Sequence, residues 1–395
     1  MTNKPLRIVI GLQYYLPHRT GYSIYVQRVA EELVARGHQV TVLTARHKIE
    51  LPRDETINGV RIIRLWAPIR VSRGMVMLAY PWSMWGLLRQ NDVVWLHLPM
   101  LETALTAVLA QITGRGLVAT HHGDLHLPEG FFNRFIEKFI FGLYAYMARY
   151  AHRIIGYSHD YADSSYYLKP FRDKVSIIYP PILMPEPDPE RVAELRAQWQ
   201  HDGGPIIGYA GRFVQEKRPD VLIRALDTIN KVYPNARVVF AGEYDIAYED
   251  TWEQNQHLVQ KYKEQLIFLG LITSQQAMAN FFGACDILVL PSESECFGFV
   301  QVEAMLSGTP VVMTDIPGGR VPVRETGMGK LVPPRDPEAL GEAVIEILQN
   351  PQLYIRPRHE IEAIFNFDET VSRYEKHFRQ ARAKSRWGKR YHADS

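Results

Sequence analysis

Two glutamates with seven residues between them, Glu295 and Glu303, stand in the stretch SESECFGFVQVEAMLSGTP (292–310). The run before it, Cys285 to Pro291, is short, aliphatic and β-branched, and so predicts a buried parallel strand. Beyond Phe297, apolar residues recur at helical spacing (Val300, Ala304, Met305) as far as Gly308, a fitting C-terminal cap. Glu295 therefore falls in a loop at the carboxyl end of a strand. Glu303 falls about five residues into the following helix, roughly 7–8 Å along its axis. This placement suits a diphosphate, because the free N–H groups at the helix start, around Phe297, Gly298, Phe299 and Val300, attract an anion. Glu303 could then accept two hydrogen bonds from a cis-diol such as that of ribose, and Glu295 could reach sugar hydroxyls beyond the phosphates. The plain alternative is a solvated helix residue and a loop charge.

Arg212 and Lys217 lie in a second strand-to-helix loop, AGRFVQEKRPD (210–220). A guanidinium offers a planar bidentate fork and an ammonium a mobile point charge, so the pair suits a leaving diphosphate on which charge accumulates. The alternative is an exposed basic loop. Gly21 follows the strand Arg7–Leu12, and His122 follows Gly116–Thr120 in THHGD. All four loops sit just past carboxyl ends of strands, where open α/β sheets bind ligands. Strand alternation sends His121 and His122 to opposite sides, so only one can face a ligand. His121, His122, Asp124 and His126 show no zinc-type spacing with cysteine.

Positioning these loops requires an α/β chain. Strands are predicted at RIVIGL, QVTVLTA, VRIIRL, DVVWLHLP, GLVAT, RIIGYS and VSIIYPP, with helices at IYVQRVAEELVARG and ETALTAVLAQITG. The proline-rich stretch from Tyr179 through PILMPEPDPE reads as a linker. Alternation then restarts with PIIGYAG, ARVVFAG, LIFLGL, CDILVLP, TPVVMTD and KLVPP. The expectation is two Rossmann-like domains facing a cleft, 1–180 and 181–365. A last segment, 366–395, holds a helix with Asp368 as N-cap and a basic tail.

The words ECFGFVQVEAMLSGTPVV, AGRFVQEKRPD, VVFAGE and CDILVLPS, in this order, resemble the signature of the family 4 glycosyltransferases (glycosyl transferases group 1), retaining enzymes of the GT-B fold. The resemblance implies that the first domain binds the acceptor, the second binds the nucleotide sugar, and the last helix crosses back to the first. It also implies that Glu303 meets ribose, Glu295 the donor sugar, Arg212 and Lys217 the diphosphate, and His122 the sugar and acceptor. Front-face attack, with the leaving phosphate taking the acceptor proton, is implied too, with no cofactor and no metal. Thr20-Gly21 resembles a glycine-rich loop near the donor phosphates, but Thr20 stands where the family has a first glycine. Arg218 follows Lys217 where relatives often have glycine, and could crowd the loop or add a phosphate contact. Val323 stands near a place that is usually acidic.

The 395 residues, 46% hydrophobic and 22% charged, suit two soluble globular domains, and a net charge of +2 points to no nucleic-acid partner. Two cysteines suit a reducing compartment, and the absence of a leader or a long apolar run suggests a cytoplasmic protein. No G-x-G-x-x-G follows the first strand and no phosphate-loop motif occurs, which argues against dinucleotide oxidoreductases and phosphate-loop NTPases. The expected activity is transfer of a hexosyl group from a UDP- or GDP-type sugar to a hydroxyl on a sugar, small molecule or glycolipid. An NDP-sugar hydrolase or epimerase, or a non-catalytic NDP-sugar-binding protein, is the alternative. Phe131, Phe135, Phe139, Leu143 and Tyr146 fall on one helical stripe, flanked by Arg134, Lys138 and Arg149. With Arg382, Lys384, Arg386 and Lys389 of the tail, they raise the expectation of peripheral contact with the inner face of a membrane.

Overall fold

The computed structural model describes residues 4–18, 20–71, 74–125, 130–246 and 250–385, so His126, Arg386 and Lys389 lie outside the described residues. The chain forms two compact units, Met1–Pro181 with Phe367–Ser395, and Ile182–Asn366.

The first unit is built on an eight-stranded sheet. Its order is Val175–Ile177, Arg153–Gly156, Gly116–His121, Val93–Leu98, Arg7–Gly11, Gln39–Ala45, Val60–Leu65 and Asp54–Ile57. Every pairing is parallel except the last. The strands Val93–Leu98 and Gly116–His121 are buried along their whole length, as a sheet covered on both faces demands. Helices Tyr80–Gln90, Thr103–Thr113 and Phe131–Tyr150 pack into one apolar core with the sheet. The other face meets helices Gly21–Ala35 and Phe367–Lys384, where Tyr374 closes on Trp95 and Thr120 and Tyr25 bonds to Tyr374.

The helix Tyr80–Gln90 and the edge strand Asp54–Ile57 are absent from the sequence expectation. Tyr80, Met84, Leu87 and Leu88 do make a helical stripe, but the exposed Trp82 and Trp85 between them blur the period. The last helix starts at Phe367, so Asp368 lies in its first turn rather than at the N-cap, where its carboxylate meets Arg36 at 2.5 Å. Val371, Tyr374 and Phe378 of this helix are fully buried in the first unit, Val371 and Phe378 each contributing about 1.5–3 kcal/mol of transfer free energy.

The second unit holds six parallel strands in the order Leu266–Gly270, Arg237–Ala241, Ile206–Ala210, Ile287–Leu290, Val311–Thr314 and Gly329–Val332. Chain order reverses between Ile206–Ala210 and Ile287–Leu290, which are neighbours. In open α/β sheets this switch point is where the loops at the carboxyl ends diverge and leave a crevice.

Candidate active site

The loops after those two central strands carry Arg212, Lys217, Glu295, Phe297 and Gly298. After Ile206–Ala210 the chain runs through Arg212 and a short turn, Gln215–Lys217, into the helix Pro219–Ile229. After Ile287–Leu290 it runs through Ser292 and Glu295 into the helix Phe299–Leu306. A backbone bond from Glu293 N to Glu216 O, 2.9 Å, ties the two loops together. Lys217 Nζ donates to Glu295 Oε1 at 2.5 Å, and Ser292 Oγ donates to the same oxygen at 3.1 Å. Burial opposes the charge on Lys217, but Glu295 beside it outweighs that cost and holds its pKa above the ordinary lysine value.

The path of the Glu295 loop is set by glycines. Gly298 has φ 75° and Gly318 φ 78°, a region that side chains disfavour. A Cβ on Gly318 would stand 2.5 Å from the carbonyl oxygen of Glu295, with which this residue forms a parallel bridge. Gln301 Nε2 donates to Gly319 O at 2.7 Å and fastens the helix to the same loop. No side chain caps the helix Phe299–Leu306, and its first turn carries no acid, so no carboxylate of that turn offsets the partial positive charge of its N-terminus. Phe297 is buried, while Phe299 and Val300 are half-buried in the first turn. Glu303 is the fifth residue of the helix, half-buried, and accepts from Ser307 Oγ through its backbone carbonyl.

Arg212 is one-third exposed, and its guanidinium lies 3.4 Å from Glu216. Tyr209 Oη holds the Arg212 carbonyl at 2.9 Å. Arg218 has another place than the two the sequence suggests. Its backbone is left-handed (φ 48°), and its guanidinium is bidentate to Asp220 at 2.9 and 2.8 Å while also donating to Glu293. Arg335 grips Glu293 from the other side at 2.5 and 2.9 Å. Asp220 first, then Glu293, raises the pKa of Arg218. This arginine is thus engaged by carboxylates and braces the loop. Val323 is buried in the helix Val321–Thr326.

In the first unit, Thr20 is extended (φ −138°) and caps the helix that Gly21 begins. Ser23 N donates to Thr20 Oγ1 at 3.2 Å and Thr20 N to Ser23 Oγ at 2.8 Å. That reciprocal cap gives Thr20 a structural role at the start of the helix. Gly21 itself is exposed.

His121 and His122 do point opposite ways. His121 is buried, stacks on Tyr167 and pairs with Asp124 at 3.0 Å, and Asp124 also accepts from Ser165 and from Tyr166 N. Among the described residues, no group of three or more His, Cys, Asp or Glu is disposed to hold a metal ion. His122 shares a sheet face with Thr120 and with Trp95 and His97 of the next strand, since His97 pairs with Thr120. Its Nε2 lies 2.8 Å from His97 Nδ1, and its Nδ1 bonds to Tyr157 Oη. Tyr22 and Tyr25 stand edge-on to its ring. Burial first, then the neighbouring His97 and His121, drives the His122 pKa well below the ordinary histidine value; burial does the same to His97.

His97 and Tyr157 were not among the sequence candidates. Both lie at or just past carboxyl ends of strands, in DVVWLHLP and RIIGYS, so the rule that singled out His122 reaches them when applied to every strand.

Two Rossmann-like parallel sheets in one chain make this a protein of the GT-B fold. Over 94% of the chain it superposes on HepE of Anabaena, solved with UDP-glucose (TM-score 0.75, 16% identity, 98% of that chain). Over 96% it superposes on sucrose-phosphate synthase of Thermosynechococcus elongatus (TM-score 0.72, 21% identity, 100% of that chain). The sequence matches Glycosyl transferases group 1 over residues 192–363 and Glycosyl transferase 4-like domain over 20–181. It is 28% identical to an uncharacterized glycosyltransferase of Methanocaldococcus jannaschii (84% of this chain, 85% of that one). To D-inositol 3-phosphate glycosyltransferase of Thermobifida fusca it is 26% identical (84% and 81%). The chain belongs to the group 1, family 4 glycosyltransferases.

Proposed function

We propose that this glycosyltransferase moves a hexosyl group, with retention, from a nucleoside diphosphate sugar bound by the second unit to a hydroxyl acceptor bound by the first. The Lys217–Glu295 pair carries this reading. It sets a cation and a carboxylate side by side at the switch point, next to an uncapped helix N-terminus. A sugar diphosphate needs that combination: a cation for the phosphates and an acceptor for the sugar hydroxyls. As the bond from the anomeric carbon to the phosphate oxygen breaks, Arg212, Lys217 and the N–H groups at Phe299 and Val300 meet the growing negative charge. Glu303 holds the ribose diol, Glu295 the sugar hydroxyls, and His122 the sugar and acceptor. The departing phosphate takes the acceptor proton. The UDP and UDP-glucose complexes of HepE favour UDP over GDP as the first base to test.

The acceptor in this reading is lipid-linked, met on the inner face of a membrane by a cytoplasmic protein. Phe131, Phe135 and Phe139 of the helix Phe131–Tyr150 are 92%, 64% and 58% exposed, beside exposed Arg134 and Lys138. Aromatic rings interleaved with cations fit an anionic lipid headgroup region. Leu143 and Tyr146, expected on the same stripe, pack against the core instead. No helix among the described residues is long and apolar enough to cross a membrane.

The test is a panel of UDP-, GDP- and ADP-sugars, with nucleotide release and products followed with and without lipid extract. Glycoside formed only with extract supports the reading; free sugar or an epimer overturns it. Cosedimentation with anionic vesicles, lost in Lys138→Glu, tests the membrane part. No cosedimentation at low salt points to a soluble acceptor.

A further inference from the structure

Both ring nitrogens of His122 are spoken for inside the first unit, and this decides where its proton sits. The chain Tyr157 Oη, His122 Nδ1, His122 Nε2, His97 Nδ1 ends at His97 Nε2, which is buried with no hydrogen-bond partner among the described residues. The bonds can run in either of two directions. If Tyr157 donates to Nδ1, then His122 Nε2–H donates to His97 Nδ1, and His97 must carry its own proton on Nε2 as a buried N–H with no acceptor. If the run is reversed, His97 Nδ1–H donates to His122 Nε2 and His122 Nδ1–H donates to Tyr157 Oη. His97 then leaves only a lone pair unsatisfied, and the Tyr157 O–H, which unlike the His97 N–H can rotate about its C–O bond, turns from the imidazole to a different acceptor. An orphaned buried N–H is rarer and costlier than an orphaned acceptor. The tautomer of one histidine nitrogen is set by the bond the other makes, so the second direction fixes both rings.

We propose that His97 and Tyr157 are positioning residues that hold the His122 ring in the tautomer protonated on Nδ1. They can do so because packing fixes them in turn. His97 is fully buried and stacks on His122 with ring centres 5.1 Å apart, while Trp95 lies 4.3 Å behind it. Tyr157 is 1% exposed and packs against Tyr25, whose hydroxyl bonds to Tyr374 of the returning C-terminal helix. A ring held at both nitrogens neither swings nor gains charge, and it offers an incoming hydroxyl compound one fixed edge. The functional consequence rests on the placement of His122 at the sugar proposed above; the tautomer does not.

The test is long-range ¹H–¹⁵N NMR of the full chain labelled in histidine, without donor or acceptor, with the His122 ring assigned by difference against His122→Ala. The expected pattern shows Nδ1 as the protonated nitrogen and Nε2 as the bare one from pH 6 to 8. A ring protonated on Nε2, or on both nitrogens, overturns the proposal, and the wild-type spectrum settles this even should a variant fail to fold. Tyr157→Phe should raise the Nε2–H population and lower kcat by about tenfold, the scale of a slightly misplaced contact group, with nucleoside diphosphate affinity unchanged. His97→Asn, whose amide nitrogen replaces Nδ1, should keep kcat within about threefold, whereas His97→Ala should not. Unchanged tautomer and kcat in both Tyr157→Phe and His97→Ala would overturn the positioning role. Because the spectrum is read without substrate, a wrong reaction assignment leaves it standing, and a wrong tautomer leaves the transfer assay standing.

Discussion

The two units treat the polar groups at the carboxyl ends of their strands in opposite ways. In the second unit these groups are charged and paired: Lys217 with Glu295, and Arg218 with Asp220 and Glu293. In the first, Asp124 pairs with His121 on one side of the sheet, while the groups around His122 on the other side are neutral: His97 and Tyr157, with Tyr22 and Tyr25 of the first helix, packed ring against ring. Charges survive partial burial only when paired, and a single contact such as Lys217–Glu295 opens toward a charged ligand more readily than the several bonds that hold Arg218. Neutral rings are cheaper to bury and suit hydroxyl partners. The contrast matches the proposed division of labour, with a diphosphate on one unit and a hydroxyl acceptor on the other.

The sharpest way to break this comparison is to remove a charge from the second unit. Lys217→Ala or Arg212→Ala should lower turnover by roughly 10²–10³-fold, the usual cost of losing a preorganised charge partner. The fold should survive, because both residues are on a loop. Near-normal turnover in both variants would take the diphosphate away from this loop. Glu303→Gln keeps the shape but weakens hydrogen bonds to a diol by about 1–2 kcal/mol. Calorimetry should then show nucleoside diphosphate affinity lower by about tenfold.

Acid should separate the two units. His97 and His122 have pKa values well below normal, His377 is pushed down to about 4, and His38, His47 and His152 are also lowered, chiefly by burial; all six are in the first unit. A depressed histidine contributes stability that is present above its unfolded pKa near 6.5 and is lost as pH falls toward its folded value. Glu102, whose carboxyl is raised by burial, works in the other direction, but it is one group against six. In the second unit Glu293 is lowered, first by Arg335, so its contribution holds until pH falls below about 4.5. Calorimetric scans from pH 7.5 to 5 should therefore lower the transition of the first unit and leave that of the second in place. Equal shifts in both would remove the distinction.

The smallest effect is expected at Arg218. Because its guanidinium is committed to Asp220 and Glu293, Arg218→Ala should change nucleoside diphosphate affinity by less than about threefold while lowering stability by about 1–2 kcal/mol. A tenfold loss of affinity would return Arg218 to the phosphates.

Much of this arrangement is legible in the chain itself. All six strands of the second sheet stand where the apolar runs predict them; the inner ones are buried on both faces, which demands apolar residues almost throughout, while the edge strands Leu266–Gly270 and Gly329–Val332 are half-buried. The opposite directions of His121 and His122 follow from the two-residue period of a strand. The left-handed glycines around Glu295 are visible as glycines, though not as the contacts that require them. What the tertiary structure alone decided are the partnerships. Lys217 meets Glu295 across 78 residues of sequence, and His97 meets His122 across 25, because strand order places their loops side by side. Local patterns report which face a residue takes, since that is set by backbone period. They carry no record of which strands are neighbours, since that is set by how whole sheets bury their faces.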